Sequence, residues 1–169
     1  NLSMWFFMIL SYVLIFISGI GLNIIGFNHY FGFKFFDIGV IKLDLFISMI
    51  FIATQTLVMF FFVGTGVSIK EYIQENPNTD HSYHKDSIKI KRKLYPPTMA
   101  LTLLFVAMII MHGLFIIQQA RELWFHITYI STYYYFIKST IIQHKCFKEN
   151  TLIILNMTGL NNLENQLGD

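Results

Sequence analysis

YPPTMALTLLFVAMIIMHGLFIIQQARELWF, residues Tyr95 to Phe125, decides the fold class. A proline pair leads into 19 residues without a formal charge, Met99 to Ile117, and then into a short polar elbow and an aromatic segment. A helix rising about 1.5 Å per residue needs about 20 mostly apolar residues to cross a hydrocarbon core of about 30 Å. The stretch therefore reads as a membrane span.

The whole chain has the same character. Of its 169 residues 54% are hydrophobic, 17% aromatic and only 13% charged, and the mean hydropathy is +0.54. A soluble domain would be about a quarter charged. The net charge of +2 is too small to suggest a nucleic-acid partner, and the basic residues are local rather than spread along a face. Cys146 stands alone, which excludes an intrachain disulfide and a cysteine zinc site.

Apolar blocks place the other spans. Residues 4–25 carry no charge, and they lack the basic flank and short core of a cleavable signal, so they read as a retained first span. Residues 26–42 mix glycines, aromatics and the landmarks His29, Lys34 and Asp37, and read as a loop along the interface. The second span, 45–63, carries Gln55 at mid-depth, where an amide needs a hydrogen-bonding neighbour. Gly64 and Gly66 offer a kink or a close helix contact, after which Val67 to Asn76 continues as a helix into water. Residues 68–96 form a polar connection, with Pro96 and Pro97 opening the third span, 99–117. The fourth span, 123–142, is interrupted by Lys138 and has a polar stripe of Thr128, Ser131, Thr132, Tyr135 and Ser139. A polar tail occupies 144–169.

The expected fold is thus all α: a polytopic membrane protein with four transmembrane helices in an antiparallel bundle. Six of the twelve basic residues, Lys70, Lys85, Lys89, Lys91, Arg92 and Lys93, fall in the 68–96 connection or at its start. The positive-inside tendency puts that connection, and both termini, on the cytoplasmic or matrix side of a bacterial plasma membrane or a mitochondrial inner membrane.

On this topology His29, His112 and His126 gather at the outer end. An ionisable side chain within a span is a functional candidate by default. His112 and His126 could ligate a haem iron or bound a quinone pocket. Together with His29 and a carboxylate from Asp37, Asp44 or Glu122 they could instead hold a metal ion. The plain alternative is no cofactor, with His112 bonded to a carbonyl or hydroxyl and His126 at the interface beside Trp124. His81 and His84, three apart on the inner side, form one pair without a second. No nucleophile with a base is evident.

The run FFFVGTGVSIKEYIQ, followed by a basic stretch, proline and a span, resembles an unnamed group of small bacterial multi-pass membrane proteins that share a phenylalanine-rich helix ending Gly-Thr-Gly before Ile-Lys-Glu. The resemblance implies no function. The helix count also suits the succinate dehydrogenase anchors and di-haem cytochromes, but their His, Arg and Asp arrangement is not found. Three functions follow as expectations. The first is a non-catalytic accessory subunit of a larger membrane complex, respiratory or redox, with lipid and other membrane subunits as partners. The second is a cofactor-bearing anchor, and the third a small transporter or channel.

Overall fold

A computed structural model describes residues 2–33 and 39–159. They form four helices: α1 (Leu2–Phe31), α2 (Val40–Glu75), α3 (Ser82–Ile116) and α4 (Glu122–Met157). The helices α1, α2 and α3 are long and apolar enough to cross a membrane; α4 does not reach that apolarity. Of the landmarks of the expected interfacial loop at 26–42, His29 lies instead in α1, which continues to Phe31, and Lys34 and Asp37 lie outside the described residues.

Successive helices run antiparallel, as the pairing of early with late positions shows. Thr54 on α2 meets Ser18 on α1, Ile47 meets Gly21, Phe105 on α3 stacks on Phe51, and Gln143 on α4 reaches Thr98. The core has two apolar parts. One gathers Leu22, Ile25, Phe51, Leu101, Phe105 and Phe125, toward the α3–α4 elbow. The other gathers Val58, Phe62, Ile90, Leu94 and Phe147, toward the α2–α3 turn. Phe51 and Phe105 lie face to face at 3.8 Å, with planes 4° apart.

A polar layer separates these parts. Gln143 donates from Nε2 to Gln55 Oε1 at 2.9 Å and to Thr98 Oγ1 at 3.2 Å. Ser18 donates to Thr54 Oγ1 at 3.0 Å, and Ser139 to the Pro97 carbonyl at 3.0 Å. Each bond ties two helices. Gln55, which the sequence required to find a neighbour, has one on α4.

Between the second and third spans, α2 runs on to Glu75, as expected of the Val67 to Asn76 stretch. The rest of the polar connection departs from expectation: α3 starts at Ser82, so residues 76–81 alone lie between the two helices. Asp80 sets that start by accepting from the Ser82 hydroxyl at 2.6 Å and from its amide at 2.8 Å. The same two bonds hold the Asp80 carboxyl below its ordinary pKa. Pro96 and Pro97, expected at a helix start, sit inside α3. Their missing N–H groups deprive the Arg92 and Lys93 carbonyls of the usual donors four residues on. The helix stays continuous where α4 packs along it, with Ser139 donating to the Pro97 carbonyl; Lys93 also meets Glu149 at 3.1 Å in an exposed pair.

At the elbow, Gln118 takes φ +60° so that α3 can close on itself. Gln119 N–H donates to Leu114 O at 2.8 Å and Gln118 N–H to Phe115 O at 2.9 Å, a Schellman closure with glutamine where glycine is usual. Replacing Gln118 with glycine should therefore stabilise the protein, by about 1 kcal/mol, in unfolding titrations in detergent. In the polar layer, Gln143→Leu should cost about 1 kcal/mol by stranding Gln55. Adding Gln55→Leu should return most of that loss, because two apolar partners leave no unpaired amide; the same titrations form the double-mutant cycle.

Candidate functional site

Four helix ends meet near the α3–α4 elbow, each bringing an ionisable side chain. Asp44 lies in the second turn of α2, His112 near the end of α3, and His29 in the last turn of α1. Glu122 is the first residue of α4, with His126 one turn later. The elbow is short enough to hold the start of α4 against the end of α3. Phe125 follows Glu122 and fills the centre, its ring stacked on His112 at 4.5 Å and 4.2 Å from the ring of His29.

The polar atoms form a continuous series. His112 Nδ1 lies 2.5 Å from Asp44 Oδ2, and His112 Nε2 lies 3.3 Å from His29 Nδ1. His29 Nε2 lies 3.0 Å from Glu122 Oε1. His126 Nε2 approaches the same oxygen at 3.7 Å, while its Nδ1 pairs with the Tyr30 hydroxyl at 2.8 Å. Burial falls along the series. The side chains of His112, His29 and Asp44 are at most 5% exposed, whereas His126 is 33% and Glu122 51% exposed. The series therefore starts in a dry interior and ends at an accessible carboxylate.

Asp44 accepts through Oδ2 alone; its buried Oδ1 has no hydrogen-bond partner. Beside Asp44, an apolar groove of about 280 Å³ runs between α2 and α3, along Ile41, Leu45, Ile110, Gly113 and Leu114.

The three histidines expected at this end are together, with His29 between the other two: its ring is 5.2 Å from His112 and 5.7 Å from His126. Both nitrogens of His112 are engaged, by Asp44 and by His29, so it does not join the ligand set expected for a metal. Among the described residues, the group that offers three ligand atoms within 4.8 Å of one another is His29, Glu122 and His126. Of the carboxylates considered, Glu122 reaches this group, Asp44 supports it through His112, and Asp37 lies outside the described residues.

The remaining candidates disperse. Gly66 lies under the Lys91 ammonium and Ser87, at a close contact of α2 with α3, but a side chain at Gly64 would meet nothing within 4 Å. His81 and His84 sit at the start of α3, and His144 pairs with Tyr12 at 2.8 Å. Cys146 is buried, with its sulfur 3.9 Å from the Ile90 carbonyl. Tyr30 and Phe125 were not singled out from the sequence, and their partners lie too far along the chain for spacing to reveal Tyr30 against His126.

Asp44→Leu should destabilise the protein by about 1–3 kcal/mol, because His112 Nδ1–H loses its acceptor in a buried site. Asp44→Asn, which keeps a carbonyl oxygen there, should cost less; unfolding titrations of both variants in one detergent make the comparison.

No protein-family model, no curated protein and no solved structure matches this chain.

Proposed function

We propose that this chain is a cofactor-bearing membrane anchor, not catalytic by itself, whose functional centre is the cluster of Asp44, His112, His29, Glu122 and His126. The observation that carries the reading is the unbroken series from buried Asp44 to exposed Glu122. Ionisable side chains between apolar helices are costly, so a chain that keeps five of them in register at one end does so for a purpose other than packing.

The proposed setting is a four-span bundle in a bacterial plasma membrane or a mitochondrial inner membrane. Support for α4 as the fourth span comes from which of its residues face outward. Leu123, Ile127, Ile130, Tyr134, Ile137 and Ile141 are exposed at helical spacing, whereas Thr132, Ser139 and Gln143 are buried. An outer face that is apolar apart from the exposed Lys138, and a polar inner one, suit lipid, and Lys138 with the buried polar side chains lowers the average hydropathy of the helix. The exposed cations Lys70, Lys85, Lys89, Arg92, Lys145 and Lys148 gather at the opposite end from the cluster. The positive-inside tendency assigns that end, with both termini, to the cytoplasm or matrix.

A second reading, the accessory subunit of a larger complex, is favoured by helix length. A 36-residue helix spans about 54 Å against about 30 Å of hydrocarbon. The excess of α2, α3 and α4 packs together beyond the spans, through Ser87, Ile90, Cys146 and Asn150, and gives a partner a helical surface. The transporter reading has less to rest on, since Gln143 donates to both Gln55 and Thr98.

Sidedness and function have separate tests. With cysteine at Gln119, an impermeant thiol reagent should label intact cells or mitoplasts; with cysteine at Lys89, it should label only after permeabilisation, and the reverse pattern would invert the topology. Native purification with absorbance spectra, elemental analysis and mass spectrometry should find a cofactor in the wild type that His126→Leu loses. A colourless, metal-free and quinone-free protein held at fixed stoichiometry by larger subunits would replace the anchor reading with the accessory one.

A further inference from the structure

With Asp44 ionised and His112 and His29 neutral, the hydrogen-bond series orders the ring protons of the cluster. An ionised carboxylate only accepts, so His112 Nδ1 donates to Asp44 Oδ2. A neutral His112 then accepts at Nε2, and the donor beside it is His29 Nδ1. A neutral His29 that donates from Nδ1 has a bare lone pair at Nε2, and this lone pair faces Glu122 Oε1 at 3.0 Å. Two acceptors so placed share a cation, either a proton on one of them or a metal ion between them. His126 adds a third group to the same point: its Nδ1 is occupied by Tyr30, and its Nε2 lies 3.7 Å from that carboxylate oxygen.

We infer that this cation is a divalent first-row transition-metal ion, held by His29 Nε2, His126 Nε2 and Glu122, with Asp44 and His112 as positioning residues that set the tautomer of His29. The inference rests on the cluster being the functional centre, and it names the cofactor. Ligand atoms about 2.1 Å from one ion lie roughly 3.0–3.4 Å from each other. The separations of 3.0 and 3.7 Å fall around that range, and all three ligand atoms are within 4.8 Å. Two imidazoles and one carboxylate suit zinc, iron(II), cobalt or manganese better than magnesium or calcium, which prefer oxygen alone. Each ligating ring has an outlet for its other N–H, His29 to His112 and His126 to the Tyr30 oxygen, as metal-bound histidines require. Glu122 is half exposed, so an ion can enter and the remaining coordination positions stay open.

The test is cobalt(II) titration of the purified, chelator-stripped full chain in detergent, followed by absorbance and calorimetry. One ion should bind per chain, with visible bands of a nitrogen–oxygen ligand set. Asp44→Leu changes no ligand atom, yet should weaken binding by about 10- to 100-fold. Glu122→Gln and His126→Gln should weaken it further, and the His81→Gln/His84→Gln double variant should bind like the wild type. Ring ¹⁵N shifts should show His29 as the Nδ1–H tautomer in the wild type and in Asp44→Asn, which keeps an acceptor for His112, and not in Asp44→Leu, with helical circular dichroism the same in all three. Unchanged affinity in Glu122→Gln or His126→Gln overturns the site, and unchanged affinity in Asp44→Leu overturns the positioning role. Haem or quinone bound without cobalt uptake overturns the metal and leaves the anchor reading standing; no cofactor of any class overturns both.

Discussion

An apolar exterior leaves polar side chains one place to be satisfied, the interior of the bundle, and the architecture follows from that restriction. Each helix shows long hydrophobic side chains outward, such as Phe16 on α1, Met49 on α2, Leu103 on α3 and Ile130 on α4. What remains inside is a mixture of aromatics and paired polar groups. Gln55 with Gln143, Ser18 with Thr54 and His112 with Asp44 are all contacts between helices, and each fixes a rotational setting that apolar packing alone would leave free. Directional bonds at several depths therefore define which faces of the four helices meet.

The two ends of the bundle use this rule differently. Toward the α2–α3 turn, Lys93 meets Glu149 in an exposed pair that solvent screens, so it contributes little. Near the elbow, Asp44, His112 and His29 are packed against Phe125, Phe115 and one another, where the local dielectric is low and each hydrogen bond matters more. The cluster uses that difference, since the dry end lines up two rings and a carboxylate at hydrogen-bonding distance.

Much of this was legible in the chain. Uncharged blocks such as 99–117 declare their length and apolarity directly, and the elbow at residues 118–121 follows from its polar composition. The prolines misled: Pro96 and Pro97 are strong helix-start signals locally, but the helix runs on through them where α4, more than 40 residues downstream, packs along it. Histidines 29, 112 and 126 could be gathered at one end from topology alone. Their order could not, because which nitrogen faces which partner depends on rotations about helix axes that spacing does not specify. The carboxylates were likewise narrowed to three without a choice among them. Tyr30 had no signal, being an ordinary interfacial aromatic until His126 is placed beside it.

The inverted polarity of α4 bears on how the protein is assembled. Alone in a bilayer, α4 would expose Thr132, Ser139 and Gln143 to lipid; Ser139 and Gln143 find their partners on α2 and α3, and Tyr129 and Tyr133 find theirs on α1. On the four-span reading, biogenesis is therefore sequential: the first three helices can insert on their own hydrophobicity, whereas the last is retained by a receptor surface they have already built. A defect on α2 or α3 facing that surface would then surface as failed integration of a segment elsewhere in the chain.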